Sequence, residues 1–169
     1  MKNIALILVA IVLVSSLALA GDMAKQGQWG VNTTLGTGST GAGFKFMVSE
    51  NMAVRAGLAF ASISPAGGGG STSNYGIDAG LEFHQAAIGG VSPYFGVQVM
   101  YNGQSLPAPA VNSTSIGVQG VYGGEYFFSS NFSWAGEAGI GFTSSGPSGA
   151  TSTTIGTASA SFILTWYLN

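Results

Sequence analysis

Few side chains in this sequence can do chemistry. His84 is the only histidine, and Glu82 lies two residues before it, on the same face of an extended strand. A carboxylate beside an imidazole is half of a hydrolytic arrangement, and a serine would complete it. The next same-face position is Ala86, so the strand supplies no nucleophile. Cysteine is absent, which removes thiol catalysis, a cysteine zinc site and disulfides. A lone histidine without convergent ligands makes no metal site. No catalytic residue, metal or cofactor is therefore expected. The remaining chemistry is ionic: Lys45 and Arg55 against Asp78, Glu82, Glu125 and Glu137. The run Gly36-Thr37-Gly38-Ser39-Thr40-Gly41 matches G-x-G-x-x-G, but a nucleotide site needs a helix after it. A second strand follows here, so it reads as a hairpin loop.

These groups are rare within an unusual background. Charged residues are 6% of the 169, hydrophobic residues are 46%, and glycine occurs 28 times. That is too apolar for a disordered chain. The four Lys+Arg residues are too few to neutralise a run of phosphates, so nucleic acid is excluded as a partner. A surface so poor in charge would associate if it faced water.

The first twenty residues read as a secretory signal. Lys2 precedes an apolar run over 4–14, and Ala18-Leu19-Ala20 offers an A-x-A cleavage site. Eleven apolar residues are too short to cross a hydrocarbon core of ~30 Å as a helix. The expected division is a cleaved signal over 1–20 and one domain over 21–169.

In the mature part, apolar and small polar residues alternate with a period of two. Eight blocks show it: 27–36, 41–49, 52–62, 74–85, 92–102, 113–127, 132–143 and 153–168. Short connections alternate with longer Gly/Ser/Pro-rich ones, such as 63–73, 103–112 and 144–152. An even number of strands, with short turns at one end and long loops at the other, predicts an all-β, antiparallel up-and-down transmembrane barrel.

Parity sharpens this expectation. Lys45, Arg55, Asp78, Glu82, His84, Glu125 and Glu137 all oppose the apolar face of their blocks. The face they share is otherwise Gly, Ala, Ser, Thr and Gln, which suits the cramped interior of a narrow barrel. Lys45 and Arg55 are equidistant from Glu50, so one hairpin sets them near each other, and carboxylates must join them. The seven are expected to form an interior polar network filling the short-turn end. A structural plug is the expected role, with a proton or ion path as the functional alternative.

Aromatic residues follow the apolar parity except Tyr94, Phe127 and Tyr167. Trp29, Phe83, Phe95, Tyr126, Trp134 and Trp166 fall near the short-turn end, and Phe60, Tyr75, Tyr101 and Phe142 near the long-loop end. Two such groups predict aromatic belts at the two membrane interfaces.

On this pattern the chain resembles the small eight-stranded outer-membrane barrels of the OmpA/OmpX type. The last block carries Phe162, Leu164, Trp166 and Leu168 at alternate positions. That is similar to the signal by which the barrel-assembly machinery reads its clients. The resemblance implies an outer-membrane location, contact with lipid and that machinery, and an extracellular partner through the long loops. It implies a filled interior, a monomer, and a structural or adhesive role. The rival expectation is a soluble secreted β-sandwich or a lipocalin-like carrier of an apolar ligand. A small porin or a lipid-modifying barrel enzyme stands further off.

Overall fold

The computed structural model describes residues 24–36, 39–64, 70–147 and 152–168. The expected signal segment 1–20 lies outside them, as do the tips of three of the long-loop connections. Eight strands run in order: β1 (Trp29–Gly36), β2 (Ser39–Ser49), β3 (Met52–Ile63), β4 (Thr72–His84), β5 (Val91–Ser105), β6 (Ser113–Ser129), β7 (Phe132–Pro147) and β8 (Ser152–Leu168). Each pairs antiparallel with its sequence neighbour, and β1 pairs with β8 to close the barrel. No helix occurs among the described residues.

Closure follows from alternation. With one face of every strand apolar and the other small and polar, a sheet rolled into a tube separates the two faces completely. Apolar side chains stand exposed on every strand: Val31, Phe44, Leu58, Ile77, Val97, Val118, Ile140 and Trp166. The polar side chains Asn32, Lys45, Arg55, Glu82, Gln98, Gln119, Glu125, Glu137 and Thr165 are buried. This is the reverse of a soluble carrier, whose lumen would be apolar, and a closed barrel is not a sandwich.

The short-turn end is tightly built. Two residues join β2 to β3, and two join β6 to β7. Before β5, Ile88 and Val91 exchange both backbone hydrogen bonds around Gly89 and Gly90. These glycines have φ of 60° and 84°, and such a turn needs positive φ at both central positions.

Several boundaries differ from expectation. β1 starts at Trp29, because Gly27 turns the chain with φ of 83°. Residues 24–28 instead cross the short-turn end. Ala24 packs with Met47, Ala53, Phe127 and Tyr167, and the Gly27 N–H donates to Met47 O at 2.7 Å. At the other end β5 and β7 run further than the alternating blocks, to Ser105 and Pro147, because cross-strand pairing carries their ladders on into polar sequence, while β6 runs on to Ser129 at the short-turn end.

Glycine placement explains how so narrow a tube holds large side chains. Gly30 faces Tyr167, Gly123 faces Tyr94, Gly43 faces Asn32, Gly57 faces Asp78, and Gly76 faces Asn102 as cross-strand partners. A Cβ on any of these glycines would collide with its neighbours, the facing side chain among them. The glycines are beds on which the interior groups lie.

Candidate functional site

The lumen at the short-turn end holds one connected ionic cluster. Lys45 on β2 stands opposite Arg55 on β3. Glu82 on β4 lies between them, with Oε2 at 2.7 Å from Lys45 Nζ and Oε1 at 2.9 Å from Arg55 Nη1. Glu137 on β7 accepts both Arg55 Nη1 and Nη2 at 3.0 Å, the bidentate geometry that a planar guanidinium favours. Glu125 on β6 accepts Lys45 Nζ at 2.6 Å.

Lys45 has three N–H donors and three acceptors: Glu82 Oε2, Glu125 Oε2 and, at 3.2 Å, His84 Nε2. His84 Nε2 also lies 3.3 Å from Glu82 Oε2, its Nδ1 lies 3.2 Å from Ser92 Oγ, and the Ser92 hydroxyl donates to Gln85 O at 3.0 Å.

The cluster holds three carboxylates against two cations. Neutral donors hold the excess. Tyr167 and Ser133 hydroxyls donate to Glu125 Oε1, and the Tyr94 hydroxyl donates to Glu137 Oε2 at 2.9 Å. Tyr94 and Tyr167 are fully buried, and with Phe127 they are the three aromatics of lumen parity. Two of the three thus finish the ionic cluster. Parity marked them, although their role as donors needs the register.

Six of the seven polar residues named from sequence meet here. Asp78 does not. It sits higher, where Gln98 Nε2 donates to its Oδ2 at 2.8 Å and Gln119 Nε2 donates to Gln98 Oε1. Its distance along β4 from Glu82 separates it from both cations: the network is stacked in tiers.

Ser92 is the residue that strand-by-strand reading misses. Ala86 is the next same-face residue along β4, but Ser92 reaches His84 from β5. Glu82, His84 and Ser92 therefore touch in sequence. The Ser92 side chain is fully buried and its proton is committed to a backbone carbonyl, so it presents no nucleophile to a substrate.

Glu82, His84 and Glu125 also place ligand atoms within 4.8 Å of one another. The Lys45 ammonium lies 2.6–3.2 Å from all three, where a metal ion would have to sit. The lysine is the cation of this site.

Among the described residues, the lumen is not filled along its whole length. A middle compartment of about 110 Å³ adjoins Asn32, Arg55, Asp78, Gln98 and Glu137. Above it a vestibule of about 720 Å³ opens at the long-loop end. The expected filled interior is thus confined to the short-turn half, because small residues such as Gly36, Ala59, Gly76 and Ser115 line the upper half.

On the outer face, Trp29, Phe60, Tyr75, Phe83, Phe95, Tyr101, Phe142 and Trp166 are exposed, and Trp134 is half-buried against Phe162. Tyr126 departs from expectation. It is 2% exposed, because Phe128 meets its ring edge-on at 5.0 Å and Val91 and Trp134 flank it across the ladder. Phe162, Leu164, Trp166 and Leu168 alternate with buried Ile163, Thr165 and Tyr167.

The sequence matches no protein-family profile and no curated protein. The fold does have solved counterparts. It is similar to the outer membrane protein OprG from Pseudomonas aeruginosa, with TM-score 0.55 and 14% identity, over 86% of this chain and 98% of that one. It is also similar to the N-terminal β-barrel domain of Pseudomonas aeruginosa OprF, with TM-score 0.54 and 10% identity, over 85% and 98% of the two chains. The chain has the fold of the small eight-stranded outer-membrane barrels.

Proposed function

We propose that this protein is an integral outer-membrane barrel with a structural or surface-interaction role, in envelope integrity or in adhesion through its long loops. The observation that carries this is the continuous apolar exterior around an ionic interior. Monomeric soluble proteins rarely expose apolar patches beyond a few hundred Å². Here every strand contributes exposed apolar side chains, and closure of β1 on β8 satisfies the backbone as lipid demands. The exposed aromatics toward the two ends serve as interface belts, and residues 1–20 serve as the cleaved export signal.

Closure leaves no strand edge that needs a second copy, which supports a monomer. The buried, committed Ser92 hydroxyl favours a non-catalytic role, and the cluster that plugs the short-turn half disfavours an open pore. Phe162, Leu164, Trp166 and Leu168 form the face offered to the barrel-assembly machinery.

The test is a refolding experiment in detergent micelles. An unboiled sample should resist SDS and migrate apart from a boiled one, with β-type circular dichroism only when detergent is present. Folding in plain buffer without that shift would overturn the membrane assignment.

A further inference from the structure

We propose that the vestibule binds a neutral, polyhydroxylated solute of mono- or disaccharide size. Its volume, about 720 Å³, lies in the range of small-molecule sites. No charged residue lines it among the described residues, so a charged ligand would be desolvated there without a partner. Asn74, Asn102, Gln104 and Ser115 supply amides and hydroxyls, each able to donate and accept. That lining suits a ligand whose groups also do both, which is the chemistry of a sugar hydroxyl.

A second observation is independent of the lining. Asn32 is 6% exposed, and its Nδ2 is a buried donor without a hydrogen-bond partner. Such a group costs stability until an acceptor reaches it. Asn32 adjoins the middle compartment, which shares Ala59, Gly76 and Asn102 with the vestibule above. Asp78, an acceptor, adjoins the same compartment. A hydroxyl entering from the vestibule can accept from Asn32 and donate toward Asp78. About 110 Å³ admits one hydroxymethyl-sized group or a few waters. The ligand's end fits this space, and its body fits the vestibule.

The proposal rests on the membrane reading only for which side the mouth faces. Binding in the lumen does not depend on it, and the gel assay above tests that reading separately.

The test uses the folded barrel in amine-oxide micelles, which contain no sugar. Maltose is titrated while the side-chain amide resonances of Asn and Gln are followed by NMR. Saturable shifts confined to Asn32, Asn74, Asn102 and Gln104 are expected, with cyclohexanol and glucuronate producing none. Asn102→Ala, shown folded by its gel shift, should weaken maltose roughly fivefold or more, the effect of one lost hydrogen bond. If that variant does not fold, Ser115→Ala is read in its place. Maltoheptaose separates the sources: tighter binding than maltose indicates a glycan end, and equal binding a free sugar. Shifts that fail to saturate, that survive Asn102→Ala unchanged, or that cyclohexanol reproduces would overturn the proposal and leave the vestibule holding water only.

Discussion

Lys45 and Arg55 are direct cross-strand partners on the lumen face of the β2–β3 ladder, and both are buried. Like charges so placed repel, and three carboxylates hold them there. Glu82 alone touches both cations. Glu82→Gln should therefore destabilise the barrel by about 3–5 kcal/mol, as expected when one partner of a buried ionic group is removed. Urea titration of the detergent-folded protein measures it. An unchanged midpoint would show that Glu125 and Glu137 suffice.

Lys45→Ala should convert the cluster into a metal site. It removes the ammonium and leaves Glu82, His84 and Glu125 with ligand atoms within 4.8 Å of one another. Zinc should then raise the unfolding temperature of the variant, and a chelator should reverse the rise. The parent protein should respond to neither. A zinc effect on both proteins alike would place the metal elsewhere.

Two glycines on adjacent strands separate space from chain flexibility. A Cβ on Gly123 would lie 2.6 Å from the Tyr94 ring and 2.7 Å from Gly136 O. A Cβ on Gly136 would meet nothing within 4 Å. Gly123→Ala should cost about 1–3 kcal/mol, the usual range for overpacking. Gly136→Ala should change stability by no more than about 0.5 kcal/mol. Equal effects in paired urea curves would refute the bed-like role of the interior glycines.

Orientation in lipid can be read with one cation placed on either side of the wall. Val118 is exposed at the middle of β6, whereas Ser115 lines the vestibule. Val118→Arg should lose about 2–4 kcal/mol in vesicles, the cost of a cation at the bilayer midplane. Ser115→Arg, with water beside it, should lose far less. The opposite ranking would mean that the apolar wall does not meet lipid.

Much of this was legible in the sequence, for a physical reason. Alternation has a strict period of two, so the side of each residue follows from its position. Even the exceptions informed: Tyr94, Phe127 and Tyr167 broke the aromatic parity and are buried in the lumen. Contacts between strands were less legible. Ser92 reaches His84 from the next strand, and the register that brings it there depends on the turn at Gly89 and Gly90. Asp78 shared the parity of the ionic residues but not their height. Tyr126 shared the outward parity yet is covered by Phe128, which no single-strand pattern reveals. The hollow upper half was hidden too, because a row of small residues reads alike whether neighbours or space adjoin it.

The seam between β1 and β8 sets a condition on how the chain can fold. Trp29 pairs with Leu168, so the residues that complete the ladder are almost as far apart along the chain as it allows. Every other ladder joins sequence neighbours and can zip from its connecting turn. The last cannot begin until the final strand is present, and loop-closure entropy must be overcome before it forms. Chains that lack either end strand therefore carry two open edges. The unfinished chain is adhesive until its two ends meet.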